Sequence, residues 1–167
     1  MIDKYELVNW LKKIDKKLSK KIILIAVGGT AMTMLNLKSS TMDIDFCIAS
    51  KDEKEFRKFL GNKFKVDLFT DGYIFSEQLP EDYIKKSKDM MELKNISLKA
   101  LSPVDIIITK AARFNARDEE DIGALSKYVN KEELIERFNL VVSSYAGKEE
   151  DYRYHFRIIL KRFFDYK

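Results

Sequence analysis

Apolar residues in the first part of the chain recur with spacings typical of a helix and then of a buried strand. Within residues 2–20 the apolar positions lie three or four apart, at Leu7, Leu11, Ile14 and Leu18, which predicts an amphipathic helix. Residues 22–27 are apolar without a break, which predicts a buried strand. Because residues 30–37 fit a short helix, this part of the chain predicts the order helix, strand, helix.

Two later segments alternate strictly between apolar and polar positions, as strands with one buried face do. In residues 43–48 the two faces are Ile44, Phe46 and Ile48 against Asp43, Asp45 and Cys47. In residues 64–69 they are Phe64, Val66 and Leu68 against Lys65, Asp67 and Phe69. A helix over residues 51–60 separates the two strands. The pattern therefore predicts acidic side chains on one face of each strand.

The middle of the chain has a less regular pattern. Residues 71–89 fit a loop that contains a short helical piece near residues 74–79. Residues 90–93 and 96–101 fit two short strands. The order up to residue 101 is therefore a mixture of strands and helices, which indicates an α/β core.

The last third of the chain is predicted to be helical. Ser102 as an N-cap and Pro103 at the first helical position predict a helix that runs to about residue 115. Three further helices are predicted, over residues 119–128, 131–146 and 149–164. We expect an α/β (α+β) fold, with a mixed sheet flanked by helices in residues 1–101. A helical C-terminal subregion, residues 102–167, would pack on this core to form one compact unit.

Composition and charge limit the class of protein further. The chain has 167 residues, of which 46% are apolar, enough for one domain with a sizeable core. No apolar run reaches the roughly 18 residues of a membrane span, and the single Cys47 cannot form an internal disulfide, so we expect a cytoplasmic protein. The net charge of +4 favours a nucleotide or RNA as a partner without requiring one. The lysines of the first helix fit either a solvated face or an RNA-contacting edge: Lys12, Lys13, Lys16, Lys17 and Lys20.

Gly28, Gly29 and Thr30 stand between the buried strand and the next helix. Glycine lets the backbone approach a ligand closely, and a helix N-terminus presents unpaired N–H groups that attract anions. The arrangement therefore fits a cradle for phosphates. A Gly-Gly pair is also common in tight turns, so the pair alone does not distinguish the two interpretations.

Asp43 and Asp45 lie two residues apart on one predicted strand, so their carboxylates project from the same face. Such carboxylates repel each other unless a cation lies between them. We expect Mg²⁺ or Mn²⁺ here, because hard divalent cations prefer oxygen ligands and bind substrate phosphates at the same time. Asp67 would join the cluster if its strand is the neighbour of the first. The alternative is a set of ordinary acids on an exposed sheet face.

Taken together, these residues resemble the signature of the polymerase-β-like nucleotidyltransferase superfamily. The matching segments are Val27 to Ala31, Ser40 to Phe46 and Lys65 to Leu68. The resemblance implies the mixed sheet of that superfamily. It also implies that Asp43, Asp45 and Asp67 are both catalytic residues and metal ligands. The nucleotide-binding residues it implies are Gly28, Gly29 and Thr30.

A second stretch resembles the subgroup of AbiEii-type toxins and their small uncharacterised prokaryotic relatives. It comprises Leu101 to Asp105, Lys110 to Arg113 and Arg117 to Ile122. The resemblance implies that Lys110 contacts the nucleotide phosphates and that Asp118 or Asp121 has a polar role near the site. The chain departs from the family in one respect: the family often has an Arg shortly before the first Asp, which is Asp43 here, and this chain has none. Lys38 occupies that neighbourhood here, and a lysine lacks the bidentate fork of an arginine.

We therefore expect a metal-dependent nucleotidyltransferase that moves a nucleoside monophosphate from an NTP to an acceptor hydroxyl and releases pyrophosphate. The acceptor could be tRNA or another RNA, a protein or a small molecule. One alternative is a toxin that an antitoxin or other small partner protein inhibits. A second is a regulatory module that binds nucleotides without catalysis. A third is a plain interaction domain, in which Asp43 and Asp45 are merely exposed and no NTP binds with Mg²⁺.

Overall fold

The central feature of the fold is a mixed sheet with helices packed against it. The structure is a computed structural model that describes residues 1–165, so the last two residues of the predicted subregion 102–167 lie outside the described residues. The strands are β1 (Ile2–Asp3), β2 (Ile22–Ala26), β3 (Ser40–Thr41), β4 (Ile44–Ile48), β5 (Val66–Thr70), β6 (Tyr73–Ile74), β7 (Glu77–Gln78), β8 (Lys88–Glu92) and β9 (Ile96–Ala100). The helices are α1 (Lys4–Asp15), α2 (Gly28–Met34), α3 (Ser50–Arg57), α4 (Tyr83–Lys86), α5 (Pro103–Arg113), α6 (Ala116–Ser126), α7 (Lys131–Val141) and α8 (Glu149–Phe163), with a 3₁₀ turn at Val142–Ser144.

Five strands form the main sheet in the order β5-β4-β2-β9-β8. The pairs β4–β5 and β2–β9 are parallel, whereas β2–β4 and β8–β9 are antiparallel. The predicted fold class, a mixed sheet flanked by helices, is thereby confirmed. Because β4 lies between β2 and β5, the strand with Asp45 is the direct neighbour of the strand with Asp67.

The predicted apolar face of β4 is buried under aromatic side chains from two helices. Ile44 and Phe46 are fully buried. Trp10 of α1 stacks on Phe46 with 6.5 Å between ring centroids, and Phe56 of α3 meets the same ring edge-on at 6.1 Å. Such aromatic pairs add about 0.5–1.5 kcal/mol each beyond the area they bury. This packing leaves the aspartate-bearing face of β4 directed away from α1 and α3.

Helix α5 begins as the sequence predicts and connects the sheet to the C-terminal helices. The Ser102 hydroxyl accepts a hydrogen bond from the backbone N–H of Asp105, and Pro103 occupies the first turn. Helix α5 packs against α2 on one side and against α6, α7 and α8 on the other. Ion pairs also join residues 1–101 to the helices that follow, among them Lys38–Asp121, Lys86–Glu133 and Arg137–Asp82.

The structure corrects the prediction for residues 74–79. This segment is a β-hairpin, β6–β7, in which Ile74 pairs with Glu77 across a two-residue loop. Ile74 and Leu79 are both buried, so their apolar character reflects anchoring of the hairpin and not one face of a helix. A short helix follows only at α4. Residues 131–146 also differ from the prediction, because α7 ends at Val141.

Among the described residues, none of the helices combines the length and the apolar character that crossing a membrane requires.

Candidate active site

A cavity of about 420 Å³ opens where β2 ends and α2 begins, which is within the size range of small-molecule sites. Residues from β4, β5, α5 and α6 also contribute to its walls. Six of the seven predicted site residues line it: Gly28, Gly29, Asp43, Asp45, Asp67 and Lys110. The fold therefore brings together residues that lie far apart in the sequence.

The register of two parallel strands places the predicted carboxylates side by side. Asp45 of β4 is directly opposite Asp67 of β5, and neighbouring strands lie about 4.8 Å apart. Asp43 immediately precedes β4 and lines the same cavity. The condition that the two aspartate-bearing strands be neighbours is thus met.

The carboxylate of Asp45 lies in an environment that disfavours its charge. Its pKa is raised to about 6, first by burial and then by the negative charges of Asp67 and Asp43. Lys65 and Arg113 offset only part of this rise. A site with this charge distribution favours either a proton or a cation.

The carboxylates share the cavity without forming a complete metal site by themselves. Within residues 1–165, no three side chains of His, Cys, Asp or Glu are grouped so that they could hold a metal ion. The donor set nevertheless fits magnesium, which typically binds one or two carboxylates and takes its other ligands from water and substrate phosphates. Asp43, Asp45 and Asp67 are the residues that would supply the protein's oxygen ligands.

Gly28 has a backbone conformation and a neighbourhood that favour glycine. Its φ is +54°, in the left-handed region. A Cβ atom there would lie 3.3 Å from the ring of Phe75 and 3.5 Å from the Asp45 carboxylate oxygen Oδ2. A Cβ on Gly29 would lie 3.0 Å from the Thr41 hydroxyl. The backbone of the Gly-Gly turn is therefore packed directly beside the carboxylate of Asp45.

The side chain of Thr30 is directed at the aspartate-bearing segment. Its side chain is fully buried and does not line the cavity. The Thr30 hydroxyl donates to the carbonyl oxygen of Asp43 at 3.2 Å and accepts from the backbone N–H of Asp45 at 2.9 Å. The Thr41 hydroxyl donates to the same carbonyl oxygen at 2.8 Å. The hydroxyl of Thr30 therefore fastens the aspartate segment to α2, and the predicted contribution of Thr30 to nucleotide binding stays a prediction.

Lys110 also lines the cavity, and its ammonium group is paired with two aspartates of α6. Its Nζ lies 2.8 Å from Asp121 Oδ2 and 3.5 Å from Asp118 Oδ1. Lys38 approaches the other oxygen of Asp121 at 3.1 Å. Asp121 therefore bridges two lysines.

Asp118 pairs mainly with Arg113 at the end of α5. The Arg113 guanidinium donates two hydrogen bonds of 2.7 Å to the Asp118 carboxylate. Burial raises the pKa of Asp118, but the Arg113 guanidinium, the Asn115 backbone N–H and the charge of Lys110 together outweigh it, so the pKa lies below its usual range. Asp118 also forms a capping box with Asn115 at the start of α6. Its N-capping role and its location near the site therefore coexist.

Sequence reasoning did not assign several cavity residues. Arg113 and Arg117 line the cavity together with Lys110. Helix α5 ends at Arg113, and Phe114 in a left-handed conformation leads the chain into α6, which carries Arg117. The basic pattern of this segment was the available signal. Phe75 also lines the cavity, but it lies in the hairpin that the sequence pattern did not indicate.

The fold and the cavity define a protein of the nucleotidyltransferase class, with carboxylates on paired strands beside a Gly-Gly turn. A comparison with family models gives the family itself. The chain belongs to the family described as nucleotidyltransferase of unknown function (DUF6036), whose model matches residues 5–167. Comparisons with curated proteins and with solved structures found no match. The family match confirms the predicted nucleotidyltransferase class.

Proposed function

We propose that this protein is a nucleotidyltransferase that depends on a divalent cation, Mg²⁺ or Mn²⁺. It would transfer a nucleoside monophosphate from an NTP to an acceptor hydroxyl and release pyrophosphate. The observation that carries the proposal is the pairing of Asp45 with Asp67 in register, next to the backbone of Gly28. The carboxylates and a glycine backbone that a ligand can approach closely therefore line the same cavity.

The charges around the cavity fit a triphosphate. Its basic side chains are Lys38, Lys110, Arg113 and Arg117. Asp43, Asp45 and Asp67 line the same cavity. We assign the phosphates to the space between these two sets of side chains, in contact with the Gly28–Gly29 backbone. Basic side chains and backbone N–H groups attract phosphate oxygens, because both present positive charge.

The aspartates have two roles in this proposal. Asp43, Asp45 and Asp67 would supply ligands to the divalent cation, and water and the phosphates of the NTP would complete its coordination. When bound, such a cation stabilises negative charge on the attacking and leaving oxygens. The raised pKa of Asp45 supports this assignment, because a cation would relieve the repulsion from Asp43 and Asp67.

Asp67 is also the group that we assign to the acceptor. The acceptor oxygen forms a bond to the α-phosphorus while the bond from that phosphorus to the pyrophosphate oxygen breaks. The hydroxyl proton passes to the Asp67 carboxylate, which lies on the edge strand β5 and is only partly buried. A carboxylate in this position can accept the proton as a general base.

The first test is a label-transfer assay with the full chain. The protein is incubated with each α-labelled NTP, Mg²⁺ or Mn²⁺, and total RNA or cell lysate. We expect label on one class of acceptor, together with pyrophosphate release. The double variant Asp43→Asn, Asp45→Asn should lose this transfer by about 10²-fold or more, as expected when charge-stabilising groups are removed.

Asp89→Asn is the matched control, since Asp89 is an exposed acid on the opposite edge strand. It should transfer label at the wild-type rate. Transfer that persists in the double variant would exclude the proposed role of the aspartates. Failure of the wild-type protein to bind any NTP would exclude the function itself.

The identity of the labelled acceptor separates the related functions. A toxin-like enzyme of the AbiEii type would label tRNA or a partner protein, and an antitoxin would inhibit it. A regulatory module would bind NTP without transferring label to any acceptor. The assay therefore distinguishes both from a transferase that acts on a small molecule.

A further inference from the structure

The loop between β6 and β7 carries an aromatic ring into the cavity. Ile74 pairs with Glu77, so Phe75 and Ser76 alone form the turn. Both have positive φ values, 50° for Phe75 and 72° for Ser76. Two-residue hairpin turns of this kind normally use Asn and Gly, because a Cβ atom is strained there. A bulky aromatic residue at this position is unfavourable for the turn itself.

The hairpin holds this turn in place from both ends. Ile74 and Leu79 are buried anchors, and the backbone N–H of Leu79 donates to the Gly72 carbonyl at 3.0 Å. The N–H of Ala146, from the C-terminal helices, donates to the Ser76 carbonyl at 3.3 Å. Strained residues persist where the surrounding structure fixes them, and they cluster at functional sites. The position of Phe75 is therefore set by the fold.

The Phe75 ring packs against a second aromatic ring, and the guanidinium of Arg113 lies over it. The Phe69 ring lies 4.7 Å away, centroid to centroid, and Gly28 lies against the ring edge. The guanidinium carbon of Arg113 lies over the ring at 5.7 Å from its centroid. Flat groups in stacking contact lie only about 3.5–4 Å apart. Arg113 is therefore above the ring without being stacked tightly on it.

Arg113 would have to shift to make room for a ligand. Its side chain is 55% exposed, whereas the Asp118 carboxylate that holds it is buried. A flat ligand ring needs about 7 Å between the groups on its two faces, twice the stacking distance. A small outward shift of the exposed guanidinium would give this separation.

We propose that Phe75 and Arg113 form the nucleobase site, in which the base of the NTP stacks on the Phe75 ring and beneath the Arg113 guanidinium. This inference rests on the proposed function, because it uses the same cavity. Every base has a π-face, so stacking tolerates all four bases. Purines offer a larger stacking surface than pyrimidines. The platform therefore predicts that ATP and GTP bind more tightly than CTP and UTP.

The test compares ATP with inorganic triphosphate, which has no base. Both are titrated by calorimetry into the full chain with Mg²⁺. In the variant Phe75→Asn the ring is lost while asparagine tolerates the positive φ. We expect the affinity for ATP to fall about 5- to 100-fold, the range for loss of one base stack. The affinity for triphosphate should stay within about twofold, because the Gly28–Gly29 backbone is unchanged.

Two further variants keep the test decisive. Phe75→Trp retains a stacking ring, so it should keep the affinity for ATP and show fluorescence quenching by ATP but not by triphosphate. Tyr154→Asn is the matched control, since Tyr154 is an exposed aromatic residue outside the cavity. It should bind both ligands like the wild type. If the Asn variant does not fold, the quenching of the Trp variant decides the question.

The outcomes separate this inference from the proposed function. Equal losses of affinity for ATP and triphosphate would show that Phe75 only packs the cavity wall, and would overturn the inference. If Phe75→Asn binds ATP like the wild type but binds the acceptor more weakly, the inference is also overturned, because the ring would then contact the acceptor. If the wild type binds triphosphate as tightly as ATP, only the base site fails. If it binds neither, the proposed function fails as well.

Discussion

At the scale of single residues, Asp45 shows how a partly buried carboxylate beside two others lowers the stability of the fold. The ordinary pKa of this carboxyl is 3.8, and in the folded protein it is about 6. The folded chain therefore holds the proton more tightly than the unfolded chain does. Consequently, the free energy of unfolding decreases as the pH rises from about 4 to about 6, and it stays reduced above that range.

We expect Asp45→Asn to stabilise the protein where the carboxylate is charged and to abolish label transfer. Each kcal/mol gained should raise the melting temperature by about 2–4 °C. The measurement is thermal unfolding without metal at pH 8 and at pH 4. The gain should be confined to pH 8, and Asp89→Asn should show none. A lower melting temperature for Asp45→Asn at pH 8 would contradict the repulsion that we infer.

At the scale of elements, one arginine joins three of them. Arg137 of α7 donates to both carboxylate oxygens of Asp105 on α5, at 3.0 and 2.7 Å. It also donates at 2.6 Å to Asp82, which precedes α4. Arg137 and Asp105 are both buried. Because α5 also carries Lys110, this contact helps to fix the basic wall of the cavity.

Replacing Arg137 with methionine should leave the Asp105 charge buried and unpaired. We expect Arg137→Met to lower the free energy of unfolding by about 3–5 kcal/mol, the usual cost of breaking such a pair. Urea unfolding measures this loss. Adding Asp105→Asn removes the unpaired charge, so the double variant should recover part of it. Equal stability of the single and double variants would mean that the buried charge is not the cause.

At the scale of the whole molecule, residues 1–101 and the helices after them share one cavity. Lys38–Asp121 and Arg137–Asp82 connect the two parts, and α5 packs against α2. Neither part completes the site alone. We therefore predict that the two parts unfold together.

The expected result is one cooperative transition with the same midpoint for two probes. Fluorescence of Trp10, which packs between Phe46 and Phe64, reports on the sheet. Far-UV circular dichroism reports mainly on the helices, and most of the helical residues follow residue 102. Two-state unfolding requires that both curves coincide. Separate midpoints would show that residues 1–101 fold independently.

The sequence predicted those elements whose signals are local. Strict alternation identified β4 and β5, and Ser102 with Pro103 identified the start of α5. The hairpin was missed for a physical reason. Its turn residues, Phe75 and Ser76, are not the Asn and Gly that such turns favour, and only tertiary packing holds them in place. The ring of Phe75 could not be assigned to the cavity without that turn.

Some residues of the candidate site also have local sequence signals, whereas others are brought together only by the fold. Asp45 and Asp67 could be proposed from short motifs because strand alternation fixes the direction of their side chains, and Gly28 could be proposed because it stands between a strand and a helix. The contact between Lys38 and Asp121 spans 83 residues, and no local pattern encodes it. Thr30 was assigned to the right turn, but the direction of its hydroxyl depends on the neighbouring strand.

The bridging position of Asp121 has a consequence for how ionic strength would act on this protein. Lys38 and Lys110 already share one carboxylate, so an arriving phosphate would exchange places with Asp121 and not with dissolved anions. Few ions would then be released to the solvent. Nucleotide affinity should therefore decrease with added salt less steeply than the number of basic groups around the cavity suggests.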